Sequence, residues 1–158
     1  MKITILAVGK LKERYWKEAL AQYVQRLCAY GRTEIIELSD REGQKSTAEH
    51  VQIAEGADIL KRLAAGAANS HVVALDSQGT NYSSEQLSRR LDDLKLSGKS
   101  NIVFIIGGSH GLSKEVLSQA HESLSFGAQT WPHQMARVML AEQLYRACSI
   151  SANHPYHK

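Results

Sequence analysis

The chain has 158 residues and a net charge of +3, with 43% hydrophobic and 22% charged residues, a composition typical of a globular protein. No apolar run approaches the roughly 20 residues that cross a membrane, and the apolar start at Met1–Leu6 is short for a signal peptide and typical of a strand. We therefore expect one domain over residues 1–158, in the cytoplasm, with its own hydrophobic core and no membrane contact.

Five short, mostly apolar segments rich in β-branched residues predict strands. In chain order they are Ile3–Val8, Glu34–Leu38, His71–Asp76, Asn101–Ile106 and Ser123–Phe126. Five further segments have helical patterns: Lys12–Tyr30, Thr47–Leu63, Ser84–Leu96, Lys114–His121 and Pro132–Ser149. Strands that alternate with helices predict an α/β fold, in which helices flank a largely parallel sheet. Ligands bind such sheets at the loops beyond the carboxyl ends of the strands.

Local signals mark the beginnings of three helices. Ser83, with Gln86 three residues later, forms the pattern of a capping box, and Ser113 is placed to cap the fourth helix. Thr130 is the candidate cap of the last helix, with Pro132 in its first turn.

Positive charge is concentrated at the start of the chain. Residues 1–32 contain seven Lys and Arg against two Glu. A basic face on an otherwise balanced protein fits an anionic partner, most commonly a nucleic acid. By charge alone, a solvated helix face explains the same pattern.

Several kinds of catalytic and metal site are disfavoured. Cys28 and Cys148 lie inside helical apolar patterns, so we expect small core residues in a reducing compartment. The histidines lack metal-ligand spacing on one helix face, and we expect no metal site. Neither a Gly-x-Ser-x-Gly elbow nor a phosphate-binding Gly-Lys-Ser/Thr loop is present.

A glycine-rich loop, Gly107–Gly111, follows a predicted strand and precedes a helix. Glycines allow backbone amides to approach a ligand closely, and a helix start favours negative charge. The spacing is not that of a dinucleotide-binding loop. The loop is therefore either a ligand-binding turn or an ordinary tight connection between strand and helix.

A second loop, Phe126–Trp131, combines small residues with two large aromatic side chains. These rings could flank an adenine, with the amides of Gly127 and Ala128 reading its polar edge; alternatively, both rings belong to the core. A third loop, Leu75–Gly79, also stands at a strand end and could close the same pocket.

The last six residues, Asn153–Lys158, are polar and contain two His and one Tyr. Chain ends are usually frayed. Here Pro155 stiffens the segment, and its mixture of aromatic and basic groups suits stacking on a base and contact with phosphate.

Four segments together resemble the RlmH family of small SPOUT-class ribosomal RNA methyltransferases. They are the opening Met1–Lys10, the loop Ile106–Leu112, the stretch Leu124–His133 and the ending Asn153–Lys158. The resemblance extends over the whole chain. It implies an α/β fold with a C-terminal trefoil knot, a homodimer, and S-adenosylmethionine (SAM) bound in the knot. The implied reaction is methylation of N3 of a pseudouridine in helix 69 of 23S ribosomal RNA, in the assembled ribosome.

The resemblance also implies roles for individual residues. The implied cofactor contacts are Leu75, Gly107, Gly108, Phe126, Gly127, Ala128, Gln129, Thr130 and Trp131. We expect His154 and His157 to accept a proton or contact the base, and Tyr156 to stack or hydrogen-bond. Arg137 is expected to hold phosphate or the developing anion. The candidates for RNA contact are Lys10, Lys12, Arg14 and Lys158. The alternative is a non-catalytic RNA-binding or ribosome-assembly factor on the same scaffold.

Overall fold

The computed structural model describes residues 1–43, 46–66 and 69–157. Five strands form one sheet in the order β2-β1-β4-β3-β5, and all four pairs of neighbours are parallel. The strands are β1 Lys2–Val8, β2 Arg32–Leu38, β3 His71–Asn81, β4 Asn101–Ile106 and β5 Glu122–Ser125. The α/β class and the parallel sheet are therefore confirmed.

Five helices connect and follow the strands: α1 Arg14–Leu27, α2 Ala48–Gly66, α3 Ser84–Leu96, α4 Lys114–Gln119 and α5 His133–Ser151. One hydrophobic cluster joins α1, α3 and α5 to one face of the sheet, and a second joins α2 and α4 to the other. Central strands are thus covered on both sides, which explains their continuously apolar sequences.

In the neighbouring strands β1 and β4, successive side chains pack alternately into the two clusters. In β1, Ile5 packs in the first cluster and Leu6 in the second. In β4, the neighbour of β1, Phe104 and Ile105 alternate in the same way. Ile5 lies directly beside Phe104 in the register of the two strands. Because side chains alternate between the two faces along each strand, paired residues such as these point to the same face of the sheet.

The third strand is longer than the sequence predicts. It continues to Asn81, and Leu75–Gly79 lies within it rather than in a loop after it. The pairing with β5 is interrupted between Leu75 and Thr80. There the carboxylate of Asp76 accepts a hydrogen bond from the N–H of Gln78 at 2.8 Å. The turn-like sequence therefore forms an irregularity inside the strand.

Two predicted helix caps are confirmed, whereas the predicted cap at Thr130 and the predicted burial of Cys28 are wrong. The capping box of Ser83 and the cap at Ser113 are both present. Thr130 does not cap α5, because the cap position falls on Pro132 and no side-chain cap bond forms. Cys28 is exposed, since α1 ends just before it, whereas Cys148 is buried as expected. Burial raises the pKa of the Cys148 thiol to about 11.

Within the described residues, we find no helix that is long and apolar enough to cross a membrane.

Candidate functional site

The carboxyl ends of the parallel strands meet at one edge of the sheet, where a cavity of about 240 Å³ opens. Eight of the nine predicted cofactor residues line it: Leu75, Gly107, Gly108, Phe126, Gly127, Gln129, Thr130 and Trp131. Ala128 is exposed, and it is not among the residues that line the cavity. Three segments far apart in the chain thus contribute to one cavity, and their role in binding a cofactor stays a prediction.

The glycine-rich loop forms a tight turn after β4. The N–H of Gly111 donates to the carbonyl of Gly108 at 3.1 Å. A Cβ at Gly107 would lie 2.7 Å from the backbone carbon of Gly111, a contact that no side chain can make without a shift of the backbone. The loop therefore needs glycine for close packing against itself, and it places backbone against the cavity.

A buried carboxylate lies on the other side of this loop. Glu55 of α2 is 3% exposed, and a Cβ at Gly108 would stand 2.8 Å from its Oε2 and 3.0 Å from its Oε1. Oε1 accepts a hydrogen bond from the N–H of Arg41 at 3.1 Å, while Oε2 is buried and has no partner in the described structure. Burial raises the pKa of Glu55. Its carboxylate thus packs against both the Arg41 segment and the glycine loop.

The second loop is held to the irregular part of β3 by a serine that sequence reasoning missed. Ser125 accepts a hydrogen bond from the N–H of Gly127 at 3.1 Å, and its hydroxyl lies 3.2 Å from the carbonyl of Ser77. At the end of the loop, Nε1 of Trp131 is buried without a partner in the described structure. The indole N–H is therefore an available donor on a cavity-lining residue.

The first residue of α5 also lines the cavity. His133 follows Trp131 and Pro132 directly, and so belongs to the same edge of the sheet. Burial lowers the pKa of His133, and the positive charge of Arg137 lowers it further, while Asp40 acts in the opposite direction. The sequence could have indicated this position of His133, because a helix that begins directly after a strand-end loop starts beside the other strand-end loops.

Arg137 lies one turn further along α5, but its guanidinium faces the interior. It is fully buried and pairs with Glu37 of β2 at 3.0 Å. Its Nη2 donates to the carbonyls of Val8 and Gly9, at 2.5 Å and 2.8 Å. A guanidinium held in this way is not placed to meet RNA, so the expected phosphate contact is corrected to a structural one that fixes α5 to the ends of two strands.

The basic segment lies beside the cavity. Lys10, Lys12 and Arg14 are exposed, at the end of β1 and the start of α1. The backbone N–H of Lys12 donates to Gln134 of α5 at 3.2 Å. Arg14 pairs with Glu18 at 2.6 Å, on the surface. The segment is therefore attached to the helix start that carries His133, and its two lysine side chains are directed to solvent.

The tail lies elsewhere on its own chain. Tyr156 donates to Glu142 at 3.2 Å, and its ring packs edge-on against Tyr145 with the ring centroids 4.6 Å apart. Burial raises the pKa of Tyr156 to about 12. The ring of His157 lies 2.8 Å from a carboxylate oxygen of Glu85, and His154 is exposed. None of the three lines the cavity, as far as the structure describes the chain. Lys158 is outside the described residues.

Solved structures with this architecture are methyltransferase-like proteins. One is a protein described as a probable methylase family member from Haemophilus influenzae Rd KW20, with a TM-score of 0.56 and 16% identity, covering 99% of this chain and 70% of that one. Another, from Legionella pneumophila, was solved with bound SAM; its TM-score is 0.53 at 14% identity, covering 93% of this chain and 66% of that one. At these identities the likeness shows the shared fold.

Sequence comparison defines the class. The family model described as "Predicted SPOUT methyltransferase" matches residues 1–157, and the chain belongs to this family. Within it, the chain belongs with ribosomal RNA large subunit methyltransferase H. The protein of that name from Clostridium novyi is 48% identical over 162 residues, covering 100% of both chains. The resemblance to the RlmH family is confirmed.

If the cavity holds SAM, as the sequence predicts, replacing Gly108 with alanine should weaken SAM binding roughly tenfold or more, which corresponds to about 1.4 kcal/mol. The new Cβ would meet the Glu55 carboxylate at 2.8 Å and 3.0 Å, and because that carboxylate is buried, either it or the loop would have to shift. Gly66→Ala is the matched control, because its Cβ would meet only the movable end of Arg62. Calorimetric titration of both variants checks the prediction, and equal SAM affinity in the two would contradict it.

Replacing Arg137 with methionine should lower the free energy of unfolding by about 3 kcal/mol, because it leaves Glu37 and two backbone carbonyls without their partner. Arg14→Met is the control: it removes an exposed Arg–Glu pair and should cost less than about 1 kcal/mol. Urea denaturation measures both values. Similar losses in the two variants would show that the buried Arg137 guanidinium has no special structural role.

Proposed function

We propose that this protein transfers a methyl group from SAM to N3 of a pseudouridine in helix 69 of 23S ribosomal RNA, in the assembled ribosome. Full-length similarity to relatives named as large subunit ribosomal RNA methyltransferases supports the reaction class. The observation that carries the proposal is the cavity, where Leu75, Gly107 and Trp131 come together from three separate segments. The exact nucleotide rests on the resemblance to the family.

Family membership also supports three architectural proposals. The chain forms one domain over residues 1–158, its C-terminal part is threaded as a trefoil knot, and the protein acts in the cytoplasm on ribosomes. The cavity lies among the loops of that C-terminal part, with Gly107 and Trp131 on its lining.

The residues around the cavity fit SAM. Gly107 and Gly108 line the cavity without side chains, because Gly111 and Glu55 already occupy the positions where a Cβ would stand, so their peptide groups can face a cofactor. The unpartnered Nε1–H of Trp131 is available to an acceptor atom of the cofactor, and the half-buried ring of Phe126 offers a face to adenine. When bound, SAM supplies a methyl carbon whose bond to sulfur breaks, with the electron pair leaving on sulfur, as the bond to the acceptor nitrogen forms.

The protein's own contribution is alignment and removal of a proton. Holding the acceptor nitrogen in a near-attack position supplies much of the rate enhancement. N3 of a uracil-type ring carries a proton that must leave before its lone pair can attack, so a positioned base is needed.

We propose that two copies of the chain cooperate. The tail contacts α5 at Glu142, whereas the cavity contacts α5 at His133 and Ala136. Six residues separate Ala136 from Glu142, which is about 9 Å along a helix. A homodimer solves this separation if one copy holds SAM beside its own basic segment and the other copy lends its tail. His154, Tyr156 and His157 would then contact the base at the partner's cavity.

The proposal is tested with ribosomes and SAM. Ribosomal RNA from cells lacking the protein should lack one methyl group on a pseudouridine by mass spectrometry, and the purified protein with SAM should restore it. Calorimetry should show SAM binding to the protein alone. A non-catalytic RNA-binding factor would give no heat with SAM and no missing methyl group, and that result would overturn the proposal.

Reversing two charges in the basic segment should separate RNA binding from cofactor binding. Lys12→Glu with Arg14→Glu is expected to weaken ribosome binding by roughly tenfold or more at 0.1 M salt, because phosphate contacts dominate such affinities. SAM affinity should stay unchanged.

The control is Lys95→Glu with Lys99→Glu, which reverses two exposed charges around the end of α3. Filter binding to ribosomes and calorimetry with SAM give the two affinities. Two results would contradict the idea that RNA and SAM bind at separate surfaces. One is an equal loss of ribosome affinity and SAM affinity in the Lys12 and Arg14 variant. The other is equal ribosome binding by the two double variants.

A further inference from the structure

Two titratable side chains line the cavity within the described part of the chain, Asp76 and His133. Asp76 has one carboxylate oxygen engaged by the N–H of Gln78 at 2.8 Å. Carboxylates are also, in general, weak bases for a ring N–H. An imidazole, with an ordinary pKa of about 6.5, is better matched to proton transfer near neutral pH.

The imidazole of His133 borders a small polar niche at the end of β1. Three groups face the position where a Cβ of Gly9 would stand: Nε2 of His133 at 3.6 Å, Nη2 of Arg137 at 3.7 Å and Oδ2 of Asp40 at 3.8 Å. Gly9 has φ +80°, a conformation that other residues rarely adopt. The niche lies next to Lys10 in the chain, so His133 stands between the cofactor cavity and the basic segment.

The charges around this imidazole suit a proton acceptor. Burial and the Arg137 guanidinium lower the pKa of His133, with a smaller lowering by Lys12, so the neutral form predominates at neutral pH. The carboxylates of Asp40 and Glu42 act in the opposite direction. They would stabilise the imidazolium once it forms, as a carboxylate does beside a catalytic histidine.

We propose that His133 is the catalytic base that takes the proton from N3 of the acceptor ring. The N3–H bond breaks, the proton passes to Nε2 of the imidazole, and the N3 lone pair becomes free to bond to the methyl carbon. The imidazolium afterwards releases its proton to water. The assignment rests on the proposed function, and it replaces the tail histidines as proton acceptors while leaving them as contacts to the base.

The tail histidines are less suited to this step in their observed positions. The ring of His157 is 2.8 Å from Glu85 of α3, on the surface of its own chain. His154 lies in an exposed turn. By contrast, His133 is at the cavity in every copy, whatever the arrangement of the dimer.

The test compares His133→Gln with His50→Gln in the full-length protein acting on ribosomes. His50 is an exposed histidine of α2, where it bonds to Thr47, and serves as the matched control. For each variant, kcat is measured from pH 5 to 9, SAM affinity by calorimetry, and the melting temperature by heating. In the wild-type protein, the pKa of His133 is measured by NMR without SAM or RNA.

We expect His133→Gln to lower kcat at pH 7.5 by about 10²–10⁴-fold, with SAM affinity within threefold of wild type. As the pH falls, the kcat of the wild type and of His50→Gln should decline through a pKa below about 6.5. The kcat of His133→Gln should not show this decline. His154→Gln and His157→Gln should keep that decline. By NMR, His133 should titrate below its ordinary value.

Three outcomes would overturn the assignment. One is a His133→Gln variant that retains the acidic decline in kcat. Another is a loss of activity that is matched, in both His133→Gln and His133→Asn, by loss of SAM affinity or of the melting transition. The third is an NMR pKa above about 7, since a protonated imidazole cannot accept a proton. Failure of the proposed function would look different, because the wild type itself would then neither bind SAM nor methylate ribosomes.

Discussion

The buried guanidinium of Arg137 fixes the edge of the sheet on which the candidate site depends. It joins α5 to the last carbonyls of β1 and to Glu37 of β2, which also accepts the N–H of Leu11. A charge that is removed from water is tolerated only when it is paired and hydrogen-bonded. Because these partners lie at the ends of two neighbouring strands, they fix the start of α5 relative to the strand ends. His133 and Gln134, one turn earlier, are placed by the same contacts.

On the other side of the cavity, Glu55 holds the glycine-rich loop. Its unpartnered Oε2 has a cost of about 1–3 kcal/mol for a buried polar atom. A smaller neutral residue would avoid that cost, but it would leave empty space against Gly108, where the carboxylate now packs. Gln52, one turn earlier in α2, also donates to the carbonyl of His110. The loop is therefore shaped before any ligand arrives, which is the arrangement that reduces the entropy lost on binding.

Much of this arrangement could be predicted from the sequence, because strand-end loops of a parallel sheet share one edge. That rule correctly grouped Gly107 and Trp131, whereas Leu75 joins them from the irregular part of β3 and not from a strand-end loop. Local patterns could not reveal contacts between distant residues. The amphipathic pattern of α5 does not show that Arg137 finds Glu37, 100 residues earlier. Nor does the polar tail show that Tyr156 packs on α5, because the acceptor Glu142 is also a helix-surface residue in the sequence.

A chain of this size has little room for separate cofactor and RNA domains, and in the proposed function one turn at the start of α5 would serve both. His133 lines the cavity, while its neighbour Gln134 holds the backbone of Lys12 in the basic segment. The niche between His133 and Asp40 lies at Gly9, next to Lys10 of that segment. In the proposed function, phosphate contact at the segment, proton removal at His133 and methyl transfer at the cavity would therefore take place in one small region.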